Sequence, residues 1–408
     1  MFVYKPESAK VPIKIWMSKD EYFKDKLMIK QTENLSRLPF IFHHAGLMRD
    51  GHPGYGMPIG GVMATTGAVV PNAVGKDIGC GMCAVRTSLT EMDTGNIKKI
   101  IDEIKKSIPV GNGPGGSHKE EQAYELMPII NDSTPIHYLK DCKEGKEYKI
   151  VTEQWKRALY QMGTLGGGNH FIEIQKGDDD YIWIMLHSGS RNIGSRIADY
   201  HQNVAVNLCQ KYYSSVPKDL SFIPIDSEEG QLYIKEMEWA VDYALCSRRL
   251  MMDRAIDAFH TVLKPSKTVA YSTDMINIAH NYAAMEHHFT KNVLVHRKGA
   301  TLARKNTIGI IPGSMGTKSY IVKGKGNPDS FMSCSHGAGR PMSRTDAKKM
   351  LNLKEEQKKM CGIVHGMRNT NDLDEAPGAY KDIKDVMKDQ KDLVEIQVEL
   401  TPLGSLKG

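Results

Sequence analysis

A chain of 408 residues with 40% apolar and 25% charged side chains has ordinary globular usage, which excludes a disordered or collagen-like protein. At about 150 residues per domain the length allows two or three domains and a large core without disulfide or metal staples. A formal net charge of +6 permits a polyanionic partner without demanding one. The seven cysteines, Cys80, Cys83, Cys142, Cys209, Cys246, Cys334 and Cys361, are thinly spread and odd in number, unlike a disulfide framework. The N-terminal MFVYKPESAKVPIKIW has no apolar leader core. The longest apolar run, residues 182–186, falls far short of the roughly 20 needed to span a membrane. The expectation is a cytoplasmic protein with reduced thiols and no membrane partner.

In chain order, Ile97, Ile100, Ile101 and Ile104 recur at helical spacing and predict an amphipathic helix over 95–107. The following PVGNGPGGSHKE reads as a mobile loop. Strands are predicted at 171–174 and 181–186, then a helix over 191–213. Residues 230–263 contain no Gly or Pro after the first and predict one long helix or two shorter ones. A helix is expected over 276–289, strands at 292–296, 307–312 and 319–322, and a helix over 344–360. Strands and helices do not alternate regularly, so the class is α+β, with a central mixed β-structure and surrounding helices.

The 37 glycines and 15 histidines are not scattered evenly. They concentrate in RDGHPGYGMPIGG (49–61), GKDIGCGM (75–82), GTLGGGNHFIE (163–173), LHSGSRNIGSR (186–196), AHNY (279–282), HRKGAT (296–301), PGSMGTKSY (312–320) and SCSHGAGRPMSR (333–344). Glycine lets a backbone approach a ligand closely, so Gly paired with His, Cys, Asp or Ser suggests loops shaped around an anion or metal. His187 ends an apolar strand and precedes a Gly- and Arg-containing turn; His170 begins a strand after three glycines; Asp77 and Cys80 share one turn. A carboxylate, a thiolate and several imidazoles suit a borderline transition metal such as Mn, Co or Zn. One Cys80-x-x-Cys83 pair without a second argues against a structural zinc site, and P-loop, Rossmann and serine-elbow signatures are absent. His43, His44, His118, His137, His201, His260, His287, His288 and His365 lack this setting and read as core or surface; His52 and His296 are intermediate. Arg191, Arg196, Arg297, Lys298, Arg340 and Arg344 adjoin the same loops and are candidate RNA or phosphate contacts.

These blocks, together with EAPGAYKDI and the terminal Leu406-Lys407-Gly408, resemble in sequence and order the RtcB family of GTP-dependent RNA ligases. The resemblance implies one ligase domain over 1–408, with a helical subregion at about 191–290 and a deep metal-containing cleft. It implies two manganese ions bridged by Cys80, with Asp77 and His170 on one and His187 and His280 on the other. His336 would be the guanylylated nucleophile. Asn169, Glu173, His280, Pro312, Gly313, Ser314, Met315, Ser319, Gly337, Ala338, Gly339, Tyr380 and Lys407 would contact GTP. The implied reaction joins RNA 3′-phosphate or 2′,3′-cyclic phosphate ends to 5′-hydroxyl ends through histidine–GMP and RNA-ppG intermediates, in RNA repair or tRNA splicing. Archease is an implied partner, and a monomer is the expectation. The alternatives are an RNA-end phosphoesterase that does not join, and a non-catalytic RNA-binding or metal-sensing protein. His336 separates them, because metal binding needs no extra histidine there. Three points depart from the family pattern: Arg49 stands where many members have Pro, and the loop PVGNGPGG and the helical region 214–270 match only loosely. His170 and Glu173 would also face opposite sides of a regular strand, so their pairing calls for a twist or bulge.

Overall fold

A computed structural model describes the chain except residues 112, 114, 115, 120–147, 264–268 and 273. Cys142, His137 and part of the 109–120 loop therefore lie outside the described residues. The architecture is α+β, with two large sheets. One has six strands in the order Phe2–Tyr4, Ile13–Ile15, Ile41–His52, Ile59–Thr65, Lys291–Lys298, Asn281–His288. Its pairings are antiparallel except for the parallel contact of Ile13–Ile15 with Ile41–His52. The other sheet has seven antiparallel strands: Ile276–Ala279, Gly81–Arg86, Ile182–Ser188, Phe171–Gly177, Val394–Lys407, Ser319–Gly324, Ile308–Ile311.

Side-chain alternation assigns each face of the seven-stranded sheet. Cys83, Val85, Ile172, Ile174, Ile182, Ile184 and Leu186 pack against the helices Thr94–Ser107 and Glu228–Leu263. Met82, Ala84, Phe171, Trp183 and Met185 form the opposite face with Ile310, Ile321 and Leu400. Cys83 is thus a core residue, its thiol pushed up to about 12 by burial, and it does not share a site with Cys80. The parity of Trp183 and Met185 continues to His187, which puts that imidazole on the face away from the helices.

The predicted helix at 95–107 forms at Thr94–Ser107, capped by Asp93, and 230–263 is one helix from Glu228 to Leu263. The expected helix at 276–289 is corrected: the segment forms the strands Ile276–Ala279 and Asn281–His288, and the helical subregion about 191–290 ends before them. The reason is an inverted pattern. Glu286 and His288 point inward, where Arg297 bonds both oxygens of Glu286 and His288 Nε2 lies 2.9 Å from it, while Met285 points out. The expected helix at 344–360 is two, Arg344–Met350 and Leu353–Lys359, because the Asn352 side chain accepts from Lys354 and Glu355 N–H and starts the second.

Two core histidines make stability depend on acid. His44 stacks on Phe331 at 4.2 Å, and burial pushes it down to about 3; His296 accepts from Val70 N–H at 3.1 Å, and burial pushes it down to about 4. Both stay neutral in the fold, while unfolded histidine takes a proton near pH 6.5. The unfolded state therefore binds more protons below that pH, and stability falls as pH drops from about 6.5 toward 4. Urea denaturation at pH 5 is expected to show a loss on the order of 2 kcal/mol from each histidine relative to pH 7. Equal midpoints at the two pH values contradict this.

Candidate active site and metal centre

The chain passes from one sheet to the other at His280, between the strands Ile276–Ala279 and Asn281–His288. Its main-chain N–H donates to Cys80 O at 2.8 Å, and Asn281 Nδ2 donates to Asp77 O at 3.0 Å, so the junction clamps the Asp77–Cys80 turn. Arg248, fully buried on the long helix, completes the frame. Its Nη1 donates to Gly79 O (2.8 Å) and Ser188 O (2.9 Å), and its Nε donates to Asn277 Oδ1 (2.8 Å). One guanidinium thereby ties together the three segments that carry Cys80, His187 and His280.

Within this frame five predicted residues converge. Cys80 Sγ lies 3.5 Å from His170 Nε2 and 3.3 Å from His187 Nε2. His187 Nε2 is 3.4 Å from His280 Nε2, and His170 Nε2 is 3.2 Å from Asp77 Oδ2. Two trios result, Cys80–His187–His280 and Asp77–Cys80–His170, each with ligand atoms within 4.8 Å of one another, and Cys80 belongs to both. His187 Nδ1 donates to Asn169 O at 3.0 Å, which leaves Nε2 as the lone-pair nitrogen. His170 Nδ1 likewise faces Leu165 O at 3.0 Å, with Arg191 Nη1 3.1 Å away.

The electrostatics suit ligation. Burial, reinforced by His170 for one and by His336 for the other, holds His187 and His280 well below ordinary histidine, so both are neutral. Desolvation raises the Asp77 carboxyl, but the hydrogen bond and charge of His170 outweigh it and bring it down to about 2. Burial and then Asp77 push the Cys80 thiol up, so a cation is needed to draw off its proton. Neutral imidazoles, a carboxylate and one shared thiol form a donor set able to hold two divalent ions of borderline softness. Glycine is required beside it: a Cβ on Gly189 would stand 2.2 Å from Asp77 Oδ1, and one on Gly166 would stand 2.0 Å from Arg191 Nη1.

His336 stands next to the cluster, its ring 4.7 Å from that of His280. Its Nδ1 donates to Asp50 Oδ2 at 2.6 Å, and the same oxygen accepts from the His336 and Gly337 main-chain N–H groups. Burial raises the Asp50 carboxyl, but His336, with His52 and Lys381, outweighs this and keeps it below the usual carboxylate range. The tautomer is therefore set, with the lone pair on Nε2. Asp50 went unassigned in the sequence; its signal is its place in the Gly-rich RDGHPGYG block, two residues before His52.

A cleft of about 410 Å³ is lined by Asp77, Cys80, His187 and His280 of the cluster, His336 and Asn169, Pro312, Gly313, Gly337, Ala338, Gly339 and Tyr380, together with His52, Lys298, Arg340 and Arg344. Met315 and Lys407 line a separate cavity of about 630 Å³. Glu375, the first residue of the EAPGAYKDI block but given no role in the sequence, links the two: its carboxylate takes the Tyr380 hydroxyl, lies 3.5 Å from Lys407 Nζ, and pairs with Arg344 and Arg340. Ser314, Ser319 and Glu173 are buried. Glu173 Oε2 accepts from Gln175 Nε2 (2.7 Å), which also donates to Ser319 Oγ (3.2 Å), and Ser319 Oγ accepts from Gly313 N–H (3.1 Å). Burial pushes Glu173 up to about 7, with Lys407 opposing. No bulge is needed between His170 and Glu173, because His170 precedes the strand Phe171–Gly177.

The basic residues divide. Lys298 Nζ lines the cleft while donating to Tyr55 O (2.6 Å) and Asn72 O (2.9 Å), and burial pushes it down to about 7. Arg191 sits against His170, whereas Arg196 is exposed on the helix Arg191–Lys211 and does not line the cleft. Arg297 is a correction. It is fully buried, with Nε on Ser333 Oγ and both terminal nitrogens on Glu286, so it is a core ion pair and not a phosphate contact. Arg49 bridges Glu21 (2.8 Å) and Asp389 (2.7 Å), which ties the helices Lys19–Lys24 and Ile383–Asp389 to its strand.

The family model described as tRNA-splicing ligase RtcB matches residues 31–408. RNA-splicing ligase RtcB1 of Escherichia coli strain ATCC 25922 is 40% identical over 97% of each chain, and RNA-splicing ligase RtcB of strain K12 has the same identity and coverage. The tRNA-splicing ligase RtcB of Methanococcus maripaludis is 34% identical over 93% of this chain and 91% of its own. No helix among the described residues is long and apolar enough to cross a membrane. The Cys80-centred cluster and the Asp50–His336 pair thus sit in a chain aligned to these ligases almost end to end, and the chain belongs to the RtcB ligase family.

Proposed function

We propose that the protein joins RNA ends bearing a 3′-phosphate or 2′,3′-cyclic phosphate to 5′-hydroxyl ends, with GTP as the activating nucleotide and two manganese ions in the Cys80-centred cluster. The observation that carries this reading is the Asp50–His336 pair beside the cluster. A metal-dependent phosphoesterase has no use for a second, carboxylate-oriented imidazole there, whereas covalent nucleotidyl transfer does. Bound at Asp77, Cys80, His170, His187 and His280, manganese supplies electrophilic withdrawal of charge from phosphoryl oxygens.

His336 Nε2 bonds to the α-phosphorus of GTP as pyrophosphate leaves, and Asp50 stabilises the positive charge that develops on the ring. An oxygen of the RNA 3′-phosphate then displaces His336, which regains its lone pair and leaves a 3′-ppG end. The 5′-hydroxyl displaces GMP from that end and makes the phosphodiester. A cyclic phosphate is first opened by water. Arg340 and Arg344 on the cleft wall offer positive charge to the phosphates, Lys298 offers an N–H donor, and Tyr380 offers a ring for the base. Lys407 and Glu173, which share an electrostatic contact, are the groups for its polar edge. The reading places the reaction in RNA repair or tRNA splicing, in the cytoplasm, with a monomer as the active unit and archease as a candidate activator.

The test is a joining assay with one RNA ending in 3′-phosphate and another beginning with 5′-hydroxyl. A phosphodiester formed only with both GTP and Mn²⁺ is the expected product. Removal or hydrolysis of the end phosphate without joining overturns the proposal in favour of a phosphoesterase.

A further inference from the structure

We propose that His52 is the base that takes the proton from the 5′-hydroxyl in the joining step, an inference that rests on the ligase reading above. The strand Ile41–His52 ends with Asp50 and His52 side by side in function. The Asp50 carboxylate orients His336, while its main-chain carbonyl, 2.9 Å from His52 Nδ1, orients His52. A carbonyl oxygen only accepts, so the proton of His52 is on Nδ1 and the lone pair is on Nε2. Nε2 has no hydrogen-bond partner among the described residues, and the imidazole lines the cleft with His336 and the metal-ligand cluster. Burial, with the charge of His336, pushes His52 down to about 4, so the ring is neutral and Nε2 carries its lone pair.

The other imidazoles of the cleft are already engaged. His187 and His280, with His170 behind them, turn Nε2 into the Cys80-centred cluster, and His336 Nε2 is the nitrogen that receives GMP in the first step. His52 keeps a free Nε2 and takes part in neither the ligand cluster nor the nucleotide transfer. It also stands where the cleft meets a second groove of about 860 Å³, since both are lined by His52, Arg340 and Arg344. That groove presents Lys24 and Lys26, which have no ion-pair partner among the described residues. Its three acids are occupied: Glu21 is held by Arg49 and Lys381, Asp25 accepts from the Leu27 and Met28 N–H groups, and Asp346 accepts from Ser343 Oγ. Unpaired cations along a groove suit a nucleic-acid backbone, and a strand lying in it ends at His52.

In the proposed step the 5′-oxygen bonds to the phosphorus of the 3′-ppG end. The bond from that phosphorus to the GMP oxygen breaks, GMP leaves with the electron pair, and the hydroxyl proton moves to His52 Nε2. The titratable and charged groups around His52 are Asp50, His336 and Lys381, with Glu21, Lys24, Asp25, Lys26, Arg340, Arg344 and Asp346 on the groove walls.

The experiment uses the full chain with His52→Ala and His52→Gln, and an RNA already carrying 3′-ppG so that guanylylation is bypassed. Formation of the protein–GMP adduct should stay within about 3-fold of wild type, which also shows that the variants fold. Joining of the pre-activated RNA to a 5′-hydroxyl strand should fall by about 10²- to 10⁴-fold, the range of general-base catalysis. A 5′-thiol acceptor, whose pKa of about 8.5 makes it ionise with little help, should lose less than about 10-fold. Joining at the wild-type rate, an equal loss with the thiol, or a parallel loss of the adduct overturns the role of His52. Failure of the wild-type protein to join the pre-activated RNA overturns the ligase reading itself, so the two failures are distinct.

Discussion

His336→Ala is expected to lose the guanylylated intermediate entirely and to reduce joining by at least about 10⁴-fold, as loss of a covalent nucleophile does. No neighbour replaces it. The remaining imidazoles nearby either turn Nε2 into the metal-ligand cluster or, for His52, hydrogen-bond a main-chain carbonyl with no carboxylate behind them. The fold should survive, because Asp50 Oδ2 keeps the residue 336 and Gly337 N–H groups and is not left as an unpaired buried charge. The expected stability loss is about 1–3 kcal/mol, the cost of one buried charge-assisted hydrogen bond. Metal content should be unchanged, since His336 belongs to neither ligand trio. Activated RNA bearing 3′-ppG should still be joined by the variant, at a reduced rate. Labelling that persists in His336→Ala contradicts the assignment of the nucleophile.

Cys80→Ala has the next largest expected effect. Cys80 is the one residue common to both trios, so its loss would remove a ligand from both candidate ion positions at once. Affinity for Mn²⁺ is expected to fall by more than about 100-fold, and every step should fail together, in contrast to His336→Ala. Without metal the variant should be close to wild type in stability, because a buried thiol held protonated contributes little beyond its packing. Isothermal titration with Mn²⁺ and denaturation of the metal-free proteins measure the two claims. Full metal occupancy in Cys80→Ala contradicts the bridging role.

The convergence of Asp77, Cys80, His170, His187 and His280 was legible in the sequence because each sits in a block with glycine or beside the Gly-rich blocks, and glycine is what lets Asp77 approach residue 189 so closely. The amphipathic helix at Thr94–Ser107 was legible for a comparable reason: its four isoleucines all turn to one core. What escaped were contacts between distant segments. Arg248 reads as one more charge on a long helix, yet it ties together three ligand-bearing segments. Glu375 reads as a turn residue, yet it gathers Arg340, Arg344, Tyr380 and Lys407. The strand at Asn281–His288 was hidden because its inward residues are Glu286 and His288, satisfied only by a partner on the next strand. Arg297 misled for the same reason: its neighbours in sequence resemble a phosphate loop, while its partner Glu286 lies across the sheet.

The central claim is that His336 carries the nucleotide, and locating the adduct tests it most directly. The protein is incubated with Mn²⁺ and GTP labelled at the α-phosphate, digested, and the labelled peptide is identified by mass spectrometry. The predicted result is one acid-labile phosphoramidate on His336, formed with release of pyrophosphate and discharged when RNA with a 3′-phosphate is added. Label on any other residue, or no covalent label while joining proceeds, contradicts it.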